Sequence, residues 1–152
     1  MHKMDEPIRG VIRKLWYPVW FIIKDESVDC TCVDFTTKQA DCRCKKCLGL
    51  GKKIHLVRVR AAHQVDDLSI RGAGLGYSEK DVDSNYYTLD EVKAHESDLV
   101  VDGNEVDVIQ RVYPERSNES DPVYYKYAAT PKKNNYDAFL KLFREVLADA
   151  GY

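Results

Sequence analysis

The chain has 152 residues, 44% apolar, 32% charged and 11% aromatic, and a net charge of −2. That length and aromatic content predict one folded domain with its own core and exclude a disordered chain. The longest apolar run, Val19 to Ile23, is bounded by Pro18 and Lys24, far short of the roughly 18 apolar residues a membrane-spanning helix needs, so a soluble protein is expected. The opening "MHKMDEPIRG" has neither an apolar h-region nor a small-residue cleavage site, which predicts an intracellular, reducing site of synthesis.

In chain order, "IRGVIRKLWYPVWFIIKD" is rich in β-branched and aromatic residues and broken by Gly10 and Pro18; it reads as two short strands. The cysteine-rich stretch from Cys30 to Cys47 follows. "KKIHLVRVRAAHQ" then reads as a strand with one wet face. Residues 66–87 carry Gly72, Gly74, Gly76, Ser78 and Ser84 with little periodicity and predict a long loop. Thr88 and Glu91 have capping-box spacing, which predicts one or two helical turns.

"LVVDGNEVDVIQRVYPE" signals a hairpin: a strand, an Asp-Gly-Asn turn, and a second strand alternating at Val106, Val108 and Val112. "SNESDP" predicts a turn and "VYYKYAAT" a further strand. Finally Tyr136, Phe139, Leu140, Phe143, Val146, Leu147 and Ala150 fall on one helical stripe. A terminal amphipathic helix over 134–150 is expected, with Asn134 or Asn135 at its start and Gly151 at its end. No βαβ alternation occurs, so the expected fold is mainly β: a small antiparallel β-barrel with a cysteine-hairpin insertion over 28–53 and a C-terminal helix.

All five cysteines lie within 18 positions. Cys44 to Gly51 is a C-x-x-C-x-G-x-G stretch, and Cys30-Thr-Cys32 stands 11 residues before it. Two thiolate pairs at this spacing suit a tetrahedral zinc ion, and the glycines let the backbone turn its N–H groups back toward sulfur. A closed structural zinc site on Cys30, Cys32, Cys44 and Cys47 is the leading expectation, with Cys42 either exchanging with Cys44 or remaining a free thiol. Disulfides and unpaired thiols are the alternatives. A redox C-x-x-C requires the first cysteine at a helix start, and glycines follow here instead. His55 is a further conceivable ligand, placed inside an apolar strand, whereas His2, His63 and His95 have no partner legible in the sequence.

Charge is uneven. Seven basic residues and no acid lie between Cys42 and Val65, against 15 acids and five bases from Asp66 to Tyr125, which predicts one basic and one acidic face. The basic residues around the cysteines suit a nucleic-acid-binding ribbon, but few aromatics are interleaved for stacking on bases. "RGAGLGYS" lacks the lysine of a phosphate loop, and "NES" at 118 would accept a glycan only in a secreted protein. No nucleophile elbow or paired-carboxylate motif is present, so no catalytic residues are assigned and a non-enzyme is expected.

The knuckle "CKKCLGLG" resembles the cysteine repeats of J-domain co-chaperones. The chain lacks an "HPD"-bearing J-domain, so chaperone activity does not carry over. "YYTLDEVKAHESDLVVDGNEVDVIQRVYPERSNESDPVYYKYAATPKK" resembles the small β-barrels of tailed-bacteriophage head completion and neck proteins, with Ser97 standing where that pattern prefers glycine. The link from Gly72 to Tyr87 has no counterpart in it. This resemblance, over a third to a half of the chain, implies a ring-forming head-to-tail connector in the virion, made in the host cytoplasm. Its partners would be other copies of itself, portal or adaptor proteins and tail proteins, with possible non-specific contact to packaged DNA; its terminal helix would either dock on an adjacent ring or cover its own barrel with Phe139, Leu140, Phe143 and Leu147.

Overall fold

The computed structural model describes residues 5–67, 82–116, 122–132 and 136–152. Helix α1 (Asp5–Leu15) leads into strand β1 (Tyr17–Asp29), followed by β2 (Lys52–Asp67), β3 (Val82–Thr88), β4 (Leu99–Asp102), β5 (Glu105–Glu115), β6 (Tyr124–Pro131) and helix α2 (Tyr136–Asp149). The six strands close into an antiparallel barrel in the order β1-β2-β3-β6-β5-β4, which leaves no open sheet edge. Among the described residues no helix is long and apolar enough to cross a membrane.

The first segment departs from the two strands expected. Ile8, Val11, Ile12 and Leu15 repeat at helical spacing, and the segment before Trp16 is α1. The apolar period outweighs the β-branched composition, and Gly10 sits in an open position with nothing within 4 Å of its missing Cβ. Ile12 is buried against Ala62 and Leu89, with Trp16, Tyr87 and Tyr124 around them, and Arg9 donates to the Val123 carbonyl at 2.8 Å.

Strand β1 buries both its faces. Val19 and Phe21 point into the barrel with Ala61, Tyr86, Val100, Ile109, Tyr127 and Ala129. Ile22 and its neighbour Trp20 point outward, where Phe139, Leu140, Leu142 and Phe143 of α2 cover them together with Leu99, Val101 and Val106. The stripe of α2 is therefore buried on its own barrel, and not held out for an adjacent ring. The helix ends as its sequence predicts. Gly151 has φ +91°, its N–H reaches the Ala148 carbonyl at 3.1 Å, and the Tyr152 N–H reaches Leu147 at 2.9 Å, a Schellman ending. The proposed caps Asn134 and Asn135 lie outside the described residues.

The β4–β5 hairpin forms as expected, with Asp102 opposite Glu105 and Gly103 at φ +58° in the turn. A bulge at Gln110 then shifts the register between Ile109 and Arg111, so Val106 and Val108 face α2 while Val112 faces the barrel interior. The helical turns expected after Thr88 do not form. Thr88 ends β3 and gives its hydroxyl to the Asp90 carbonyl at 2.8 Å, while Lys93 (φ +59°) and Ser97 (φ +69°) break helical geometry. Val92 and Ala94 of this segment plug one end of the barrel. The long loop expected over 66–87 is shorter at both ends, because β2 continues to Asp67 and β3 begins at Val82. Its middle, with the "RGAGLGYS" motif, lies outside the described residues, as does the expected turn at 117–121.

Candidate metal centre

Residues 30 to 51 form a finger between β1 and β2 with no regular strand or helix. Its shape comes from turns: Asp34 accepts the N–H groups of Thr36 and Thr37 at 2.8 and 2.9 Å, and Asp41 accepts that of Arg43 at 2.9 Å. The base closes where Cys30 N–H meets the Gly51 carbonyl at 3.0 Å.

Cys30, Cys32, Cys44 and Cys47 converge, with their four sulfurs within 4.8 Å of one another. Cys30 and Cys44 sulfurs are 3.7 Å apart and those of Cys32 and Cys47 3.5 Å. A tetrahedral ion with sulfur at about 2.3 Å sets its ligands about 3.8 Å apart, whereas a disulfide needs about 2.05 Å. The spacing fits a shared ion and not sulfur–sulfur bonds, and all five cysteines are free thiols. Cys42 is exposed and stays outside the group; its backbone instead packs under Gly49, where an added Cβ would come 3.1 Å from the Cys42 Cα. Gly49 and Gly51 have φ of +77° and +80°, the conformation that glycine tolerates best.

The thiols are unequal without an ion. The Cys32 backbone N–H aimed at Cys30 sulfur draws that thiol down to about 7. Burial pushes Cys47 up to about 12, although the Gly51 N–H pulls the other way. A cation among four sulfurs would offset the desolvation and mutual repulsion of thiolates, so the cluster is compatible with a bound metal ion. Four sulfurs also complete a tetrahedron and leave no position for water or substrate.

The finger does not stand clear of the molecule. Cys47 is fully buried and Leu48 nearly so, with Leu48 packed among Phe139, Leu142 and Phe143. Lys45 pairs with Asp149 of α2 at 3.0 Å and Lys52 with Asp29 at 2.6 Å, while Arg43, Lys46 and Lys53 are exposed. His55 is also exposed and is not among the four ligand positions.

A second polar group, unseen in the sequence, lies inside one mouth of the barrel. His63 Nδ1 meets Asp102 Oδ2 at 2.7 Å, and the Tyr17 hydroxyl donates to the same oxygen at 2.5 Å. Tyr86 stacks on the imidazole at 4.2 Å and donates its hydroxyl to Asp107. Burial pulls the His63 imidazole down, but Asp102, with Asp107 and Glu105 beyond, outweighs it and holds the group above its ordinary range. Burial raises the Asp107 carboxyl despite the Tyr86 hydrogen bond. These residues lie on five strands, from Tyr17 to Asp107 in the sequence, so only barrel closure unites them. Asp107 alone left a trace, as an acid between Val106 and Val108.

The fold and site thus define a closed six-stranded antiparallel barrel bearing a tetracysteine finger. Compared with known proteins, the chain matches no family model, and no curated protein matches it as a relative.

Proposed function

We propose that the chain is a non-enzymatic building block whose four cysteines hold a structural zinc ion: a ring-forming head-to-tail connector of a tailed-phage virion, as the hairpin resemblance implies. The observation that carries the structural role is the four-sulfur cluster, which closes the coordination sphere and is fastened to α2 through Leu48. Zinc is the metal of choice because four thiolates favour a soft, tetrahedral, redox-silent ion. Among the described residues, large side chains such as Phe21, Tyr86 and Tyr127 fill the barrel core. Apolar groups left outside, Ile8, Val11 and Leu15 on α1 and the 88% exposed Phe35 on the finger, supply surface for neighbouring subunits.

Metal content measured together with native mass tests the reading on the purified chain, alone and mixed with portal and tail proteins. One zinc per chain in a closed ring, alone or on the portal, supports it. A zinc-loaded monomer that joins neither overturns the connector role, and a metal-free chain overturns the zinc.

Exposed Arg43, Lys46 and Lys53 favour a second reading, a zinc-ribbon regulator that binds nucleic acid. Pairing of Lys45 and Lys52 with acids weakens it. A salt-dependent shift of DNA by the monomer would select this reading.

A further inference from the structure

The mouth of the barrel carries a ligand set that the tetracysteine centre does not use. A ring nitrogen of His63 and one carboxylate oxygen each from Glu105 and Asp107 lie within 4.8 Å of one another. The His63 side chain is only 6% exposed, and its Nε2 is buried with no hydrogen-bond partner among the described residues. A buried polar nitrogen left unpaired costs stability unless something occupies it.

The other ring nitrogen explains what is missing. Asp102, held in turn by Tyr17, faces Nδ1 at 2.7 Å, and Glu105 Oε2 stands 3.9 Å from the same nitrogen; a carboxylate at Nδ1 holds the proton there and leaves the Nε2 lone pair free. That carboxylate–imidazole pairing recurs behind metal-bound histidines, where it orients the ring and raises its basicity. Tyr86 stacking locks the ring plane, and its hydroxyl orients Asp107. Glu105, at the start of β5 with a side chain 59% exposed, gives a route from solvent.

We propose that His63, Glu105 and Asp107 bind a divalent cation of the class that prefers oxygen and nitrogen ligands, such as manganese(II), with Asp102 as a positioning residue. Three protein ligands leave coordination positions for water. The ion would tie β2 to β5 across the barrel mouth. It is separate from the sulfur site by ligand chemistry as well as by place, because thiolates select softer ions.

Titrating manganese(II) into the zinc-loaded full-length chain, with free ion followed by electron paramagnetic resonance, tests this. The expected result is one manganese per chain, with His63 and Tyr86 resonances broadened by the bound ion. Glu105→Gln and Asp107→Asn should weaken binding at least about tenfold, and Asp102→Asn about 10- to 100-fold. The exposed position of Glu105 keeps Glu105→Gln informative should the Asp107 variant fail to fold. No bound manganese, or binding that Glu105→Gln leaves unchanged and that leaves His63 sharp, would overturn the proposal in favour of a metal-free His63–Asp102 pair.

Discussion

Residues 30 to 51 add little more than Cys47 and Leu48 to any apolar core, whereas Val19, Phe21, Tyr86 and Ile109 are shut away from water inside the barrel. One region relies on sulfur geometry and turns. The other relies on the burial of large side chains at about 25 cal/mol per Å² of apolar surface. Both meet at α2, which lays Phe139, Leu142 and Phe143 against Leu48 on one side and Ile22, Leu99 and Val106 on the other. The contrast teaches that a segment without strands or helices takes its shape from local turns, converging cysteines and anchorage to a helix that packs on the barrel.

The largest effect should come from stripping the ion. Structural zinc sites contribute about 10–16 kcal/mol of apparent binding energy. Treatment with a strong chelator should bring the amides of 30–51 to near-unfolded hydrogen-exchange rates, while β1, β4 and β5 keep their protection. Collapse of the whole chain would abolish the distinction between the two regions. Phe21→Ala acts on the other side of it, and should lower stability by about 3–5 kcal/mol in denaturant titrations with zinc still at one per chain.

Leu48→Ala sits on the seam. It should cost about 2–5 kcal/mol and also speed transfer of zinc to a chromogenic chelator, a double effect that Phe21→Ala should lack in the still-folded protein. Ser97→Gly should move in the opposite direction. Ser97 sits at φ +69°, so glycine relieves backbone strain and loses part of that gain to chain entropy, for a net stabilisation of about 0.5 kcal/mol, read as a rise in the denaturant midpoint.

The cysteine cluster was legible because its ligands are close in the chain: the C-x-C and C-x-x-C pairs, with glycines at φ +77° and +80°, specify local turns that depend little on the rest of the fold. The β4–β5 hairpin and the Gly151 ending of α2 were legible for the same reason. By contrast, the β-branched content before Trp16 points to strands while the Ile8, Val11, Ile12, Leu15 spacing makes α1, and the capping box at Thr88 yields to the pull of Val92 and Ala94 into the barrel end.

By itself, then, the sequence determined a β-rich domain, four clustered sulfurs and an amphipathic terminal helix, since each is written in neighbours a few residues apart. Only the tertiary structure decided which face of β5 is inside, because both its faces are buried and one extra residue at Gln110 inverts the alternation. Closure of the barrel likewise brought Tyr17, His63, Tyr86, Asp102 and Asp107 into one polar mouth. It also laid the finger on α2, through contacts that span more than 90 residues of chain and leave no short-range pattern.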